Sequence, residues 1–263
     1  MKTLFENNTI NFNCHGKGQV VVLLHGFSES MKIWDYFVKE LSQKYKVITI
    51  DLPGHGESDC IGLIHTMEKI AEAIKAVLDE LKIAECVMIG HSMGGYAELA
   101  FAEKYPDMLK GLGLFHSTAY ADTPQAKINR ERTIEFVRND HYDFFLNFIP
   151  DLFAPENREL YSLQIEELIS ESKKISQQAI IASLEGMKIR EDKTHVLQEL
   201  DIPFLFIAGK QDIRIPFQLV LEQAGMSKDS TTLILDDVGH MGYLEAKAKT
   251  LNAIKCFLNG IYS

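Results

Sequence analysis

The chain has 263 residues, 46% hydrophobic and 24% charged, enough to bury a full core as one large domain or one domain with an insertion. A formal net charge of −10 argues against nucleic acid or an anionic membrane surface as partner. The start, Met1-Lys2-Thr3-Leu4-Phe5, lacks a long apolar signal core, no apolar run reaches membrane-spanning length, and Cys14, Cys60, Cys86 and Cys256 show no C-x-x-C spacing, so a reduced, cytoplasmic protein is expected.

In chain order, residues 9–13 read as a short edge strand. Gln19-Val20-Val21-Val22-Leu23-Leu24 is a β-branched run of the kind found in buried strands. It ends in the small loop His25-Gly26-Phe27-Ser28, before apolar residues at helical spacing (Ile33, Trp34, Phe37, Val38, Leu41). Tyr45–Ile50 is a second buried strand, closed by Asp51-Leu52-Pro53-Gly54-His55-Gly56-Glu57-Ser58, and residues 67–81 carry a helical pattern. Next comes Cys86-Val87-Met88-Ile89-Gly90-His91-Ser92-Met93-Gly94-Gly95-Tyr96, an apolar strand running directly into an amphipathic helix pattern. Leu109–Phe115 is a further strand. From about Thr118 to Arg190 only helical segments are visible, and strand–helix order resumes with Ile202–Ala208, a helix near 216–224, a strand at Thr231–Leu235 and a last helix over 243–258. This alternation predicts a mainly parallel sheet covered on both faces. The helical block predicts a cap inserted after the sixth core strand, with boundaries 1–117 and 191–263 for the core and 118–190 for the cap.

Ser92 stands at the apex of G-x-S-x-G, where a strand turns into a helix. Glycines on either side leave room for the tight turn, and the helix start offers unpaired N–H groups to an anion. A serine hydroxyl needs an imidazole to take its proton, and the imidazole needs a carboxylate to hold its tautomer. Asp212 follows the strand ending at Ala208, and His240 follows the one ending at Leu235, in the order Ser, Asp, His. Asp212 has a competing use as a helix cap. Asp236 and Asp237 are rival acids but stand too near His240 in sequence to orient it comfortably. His25, His55 and His91 lie in glycine-rich loops or at the elbow, where structural roles are expected. The N–H groups of Met93 and Phe27 are the expected oxyanion donors.

The motifs His25-Gly26-Phe27, Asp51–Ser58, Gly90–Gly95, Gly209-Lys210-Gln211-Asp212 and Gly239-His240, with Glu245 beyond, together resemble the α/β-hydrolase fold family over essentially the whole chain. The resemblance implies an eight-stranded, mostly parallel sheet in a three-layer α/β-hydrolase fold with a helical cap, a Ser92–His240–Asp212 triad, no metal and no organic cofactor. Serine in place of aspartate at the nucleophile position argues against epoxide opening and dehalogenation, and Met93 departs from the tryptophan usual in prolyl aminopeptidases. The first expectation is a carboxylic ester hydrolase, with enol-lactone, thioester or carbon–carbon bond hydrolysis and cofactor-free perhydrolysis as alternatives. A small-molecule receptor with vestigial turnover is the alternative of another class. The stretch Tyr142–Phe153 is too densely apolar for one solvated helix face, so Phe144, Phe145 and Phe148 are expected to join Phe27 at a small ester-like substrate. Residues 120–191 hold nine Lys or Arg and thirteen Asp or Glu, a net of −4, with Arg130 or Arg138 as the candidate partner for a single substrate carboxylate. The protein is expected to be a monomer or a homodimer.

Overall fold

The computed structural model describes residues 1–262. Eight strands form one sheet: β1 (Lys2–Phe5), β2 (Asn8–His15), β3 (Val20–Leu24), β4 (Lys46–Ile50), β5 (Cys86–His91), β6 (Leu109–Phe115), β7 (Phe204–Gly209) and β8 (Ser230–Leu235). Their spatial order is β1-β2-β4-β3-β5-β6-β7-β8. The pairs β1–β2 and β2–β4 are antiparallel and every other pair is parallel.

The helices are α1 (Asp35–Leu41), α2 (Met67–Glu80), α3 (Met93–Lys104), α4 (Pro124–Asn139), α5 (His141–Phe148), α6 (Ser162–Ser172), α7 (Gln177–Ile189), α8 (Thr194–Glu199), α9 (Phe217–Ala224), α10 (Gly242–Glu245) and α11 (Lys247–Tyr262). With helices on both faces, the sheet is buried on both, so β3, β5, β7 and, apart from the exposed Lys110, β6 are buried nearly throughout rather than alternating. The connection from β6 to β7 carries α4 to α8 and no strand. After β3 the chain first adds β4 on one side, then crosses to add β5 and the later strands on the other. The carboxyl ends of β3 and β5 therefore flank the point where strand order reverses, where open α/β sheets leave a crevice.

Three elements differ from the sequence reading. The edge belongs to β1, not to the strand around residues 9–13, because Glu6 and Asn7 both take positive φ (47° and 66°) and close a two-residue hairpin. Helix α3 is not amphipathic: every residue from Met93 to Ala102 is buried, since α2 and α8 pack on the side that would face water. The last helix is broken at Ala246, where the backbone leaves helical geometry. No helix among the described residues is long and apolar enough to cross a membrane.

Candidate active site

The tight junction of β5 and α3 dictates the geometry of Ser92. Its backbone is held at φ 51°, ψ −113°, a region that costs a non-glycine residue on the order of 1–3 kcal/mol. The surrounding backbone over-determines that conformation. Ser92 N–H donates to Phe115 O at 2.9 Å, and Ser117 Oγ donates to Ser92 O at 2.8 Å. A Cβ at Gly90 would lie 2.4 Å from Gly94 C, and one at Gly94 would lie 2.6 Å from Leu24 O, so both positions require glycine.

Loops from three later strands converge on this apex. His240 Nε2 lies 2.9 Å from Ser92 Oγ, and His240 Nδ1 lies 2.7 Å from Asp212 Oδ2. Asp212 Oδ1 accepts from the N–H groups of Arg214 (2.8 Å) and Ile215 (3.0 Å), so its helix-capping position and its contact with His240 coexist. The fourth donor was not anticipated. His116, just past β6 at φ 48°, brings Nδ1 within 3.0 Å of the same Asp212 Oδ2. Burial opposes charge on Asp212, but His240 and His116 outweigh it and hold the carboxyl well below its usual range. Burial pushes His116 down to about 4, so its ring is neutral near pH 7, donates through Nδ1, and leaves Nε2 buried without a partner. His116, Asp212 and His240 bring ligating atoms within 4.8 Å of one another, and hydrogen bonds between them account for the closeness. Asp236, by contrast, is exposed and paired with Lys210 at 2.6 Å, and Asp237 is exposed.

The loop after β3 is braced from beneath. Glu29 Oε2 accepts from Gly26 N–H (2.6 Å) and His91 Nδ1 (2.9 Å), while Glu29 Oε1 accepts from the Tyr243 hydroxyl (3.0 Å). His91 Nε2 lies 2.9 Å from His240 O. Both His91 partners are acceptors, so both ring nitrogens donate and the ring is an imidazolium. Burial opposes that charge; the adjacent Glu29 overrides it, raising His91, and His91 in turn lowers Glu29. His25 accepts from Leu52 N–H at 2.9 Å and His55 from Ser28 N–H at 3.3 Å, tying the same loop to the segment after β4. Phe27 N–H has no hydrogen-bond partner among the described residues, and Met93 N–H opens α3, where the first amides lack a helical acceptor.

Above Ser92 lies a cavity of about 980 Å³, lined in part by His240, Phe27, Phe144 and Phe148. Phe148 meets Phe27 edge-on at 5.7 Å between centroids and stacks on Phe144 at 4.8 Å. Phe145 corrects the sequence reading: it is fully buried, packs against Phe144 and does not line the cavity, because successive positions on α5 face different directions. Arg138 points away and pairs with Glu135 on the surface, whereas Arg130 lines the cavity but is bonded to Asp122. Asp122 also accepts from Arg190 at 2.5 Å.

The His240 loop and the connection after β6 are stitched together. His240 N–H donates to Leu152 O at 2.6 Å. Glu245 accepts from Gly239 N–H (3.0 Å) through one oxygen, and from Ala154 N–H (2.9 Å) and Asn157 Nδ2 (2.8 Å) through the other. Sequence reasoning noted Glu245 only through family resemblance and missed Glu29, His116 and Arg214. A histidine directly at the carboxyl end of a strand was the available signal for His116.

Comparison with known proteins agrees with this fold. A family model described as the alpha/beta hydrolase fold matches residues 19–247. A thermophilic esterase from Thermogutta terrifontis, solved with malate bound, superposes with a TM-score of 0.93 at 31% identity, covering 100% of this chain and 97% of that one. The (E)-2-((N-methylformamido)methylene)succinate hydrolase of Acinetobacter baylyi is 23% identical over 97% of this chain and 96% of its own length. The dihydrolipoyllysine-residue acetyltransferase component of the acetoin cleaving system of Pseudomonas putida is 29% identical over 92% of this chain, which spans 64% of that protein's length.

Proposed function

This chain belongs to the alpha/beta hydrolase fold family, and within it we propose a serine hydrolase that cleaves a small carboxylic ester through an acyl-enzyme. The observation that carries the reading is the continuous path Ser92 Oγ–His240–Asp212, with contacts of 2.9 and 2.7 Å, at the floor of an aromatic-walled cavity. Ser92 Oγ bonds to the ester carbonyl carbon while His240 Nε2 takes the hydroxyl proton. Asp212 steadies the imidazolium through Nδ1–H. The negative charge on the former carbonyl oxygen is received by the N–H groups of Phe27 and Met93, each worth about 3 kcal/mol of transition-state stabilisation. His240 then gives its proton to the departing alkoxide as the C–O bond breaks. Water, deprotonated by the same imidazole, repeats the addition and frees Ser92 with the carboxylic acid. The α4–α7 block acts as the cap that shapes the acyl pocket, with Phe27, Phe144 and Phe148 as its apolar wall.

The 31% identical Thermogutta esterase supports ester hydrolysis. The strained, over-determined Ser92 supports turnover over a receptor role, since a binding protein gains nothing from holding that conformation. A panel of activated esters, enol-lactones, thioesters and β-diketones tests the reading. Multiple turnovers with the highest kcat/KM on esters is the expected result. A burst that stalls after one equivalent would favour the receptor, and a clear preference for lactones, thioesters or diketones would replace the ester assignment.

A further inference from the structure

The cavity above Ser92 carries one charged group whose side chain forms no hydrogen bond or ion pair with the described residues. Arg214 follows Asp212 by two residues, and its backbone is fixed there by the N–H bond to Asp212 Oδ1. Arg214 lines the cavity and is exposed to solvent, with Cζ 4.9 Å from the centre of the Phe148 ring. Phe148 in turn meets Phe27, so the cation rests on the aromatic wall that leads back to the loop after β3.

Each carboxylate lining the same cavity is already engaged. Glu29 holds Gly26, His91 and Tyr243. Asp122 is shared by Arg130 and Arg190. Asp151 pairs with Arg158 at 3.0 Å, and Asp192 caps Thr194 through its amide at 2.9 Å. Asp151 and then Asp212 attract the Arg214 charge and Arg130 repels it, but none of them forms a side-chain hydrogen bond or ion pair with it. Among the described residues, Arg214 is the one charged group of the cavity wall with no side-chain hydrogen bond or ion pair.

From this geometry we infer that the cavity takes an ester that itself bears a carboxylate, received by the Arg214 guanidinium; the inference rests on the hydrolase reading above. A guanidinium offers paired, parallel N–H groups that match a carboxylate in a planar fork. The Phe148 face beneath it removes water from one side and limits the rotamers lost on binding. An uncharged acyl chain draws nothing from this group. Arg130, bonded to Asp122, cannot substitute without breaking that pair.

The test compares esters with and without the charge, after subtracting uncatalysed hydrolysis. Para-nitrophenyl hemisuccinate and hemiglutarate are each measured against the neutral ester in which an isopropyl group replaces the carboxylate. A second series, meta-acetoxybenzoate against meta-tolyl acetate, puts the charge on the leaving half. The expected result is a kcat/KM about tenfold higher for the anionic member of at least one series, expressed mainly in KM and shrinking with added salt. Arg214→Gln should bring that ratio close to one, Arg214→Lys should retain part of it, and Arg214→Glu should invert it. Equal or slower turnover of the anionic member in both series would overturn the inference, as would a ratio that survives Arg214→Gln. Turnover of neither ester type by folded protein would overturn the hydrolase reading itself, and this inference with it.

Discussion

Glu98 lies on α3, fully buried, with the Gly90 backbone as the polar group that favours its charged form and no well-formed hydrogen bond to either carboxyl oxygen. Burial raises its carboxyl well above the ordinary 4.5, which favours the protonated form in the folded protein. The consequence for stability has a definite sign. Below about pH 4.5 the group is protonated in both folded and unfolded chains and contributes no pH dependence. Above it, the unfolded chain sheds a proton that the folded chain keeps, so stability falls by about 1.4 kcal/mol per pH unit until the folded carboxyl ionises. Glu98→Gln keeps the shape and removes the titration. Its unpartnered amide adds a constant cost, so the informative quantity is the change with pH in the difference between variant and wild type. As pH rises above 4.5 that difference should move in favour of Glu98→Gln, by up to about 1.4 kcal/mol per pH unit, or roughly 3–6 °C in Tm for a chain of this size, until the folded carboxyl ionises. Thermal and urea unfolding at half-unit pH steps measure it. Parallel stability curves for the two proteins between pH 5 and pH 8 would refute the reasoning.

Three further outcomes are expected. Asp212→Asn should lower kcat by about 10⁴-fold, while Asp237→Asn leaves it near wild type; the reverse pattern in steady-state assays would move the acid elsewhere. His116→Leu removes one charge-assisted donor from Asp212 and should lower kcat/KM by about tenfold, with His116→Asn restoring most of it, and equal losses in both variants would deny the hydrogen bond its role. Across straight-chain para-nitrophenyl esters, kcat/KM should rise by about 0.8 kcal/mol per buried methylene, peak at a short or medium chain and then fall; a monotonic rise with activation at an oil–water interface would indicate a lipase instead.

Most of the fold was legible because both of its signals are local. Buried parallel strands read as unbroken apolar runs such as Val20–Leu24, and the elbow declares itself by glycines whose Cβ atoms would strike backbone at 2.4–2.6 Å. Ser92, Asp212 and His240 each follow a strand, so their meeting at one sheet edge follows from topology alone. The rest depends on contacts between distant segments. The β1 hairpin turns on Glu6-Asn7, a pair without the glycine that normally marks such a turn. Glu98 looked like the polar side of an amphipathic helix, and only the packing of α2 and α8 over α3 makes it buried. The Glu29–His91 pair joins residues 62 apart in sequence, and nothing near either one announces the other. Phe145 and Phe148 are alike in type and neighbourhood, yet only Phe148 reaches the cavity, because the rotation of α5 about its axis is set by tertiary packing. Arg214 was overlooked for a related reason: its importance lies in lacking a partner, which a sequence does not display.

The central claim is that Ser92 Oγ is the nucleophile. Incubation with a fluorophosphonate, followed by intact-mass and peptide mass spectrometry, tests it directly. The account expects a single adduct per chain on the peptide carrying Ser92, loss of esterase activity in step with labelling, and no adduct in Ser92→Ala. Labelling that persists in Ser92→Ala, or an adduct on Ser28, would contradict it.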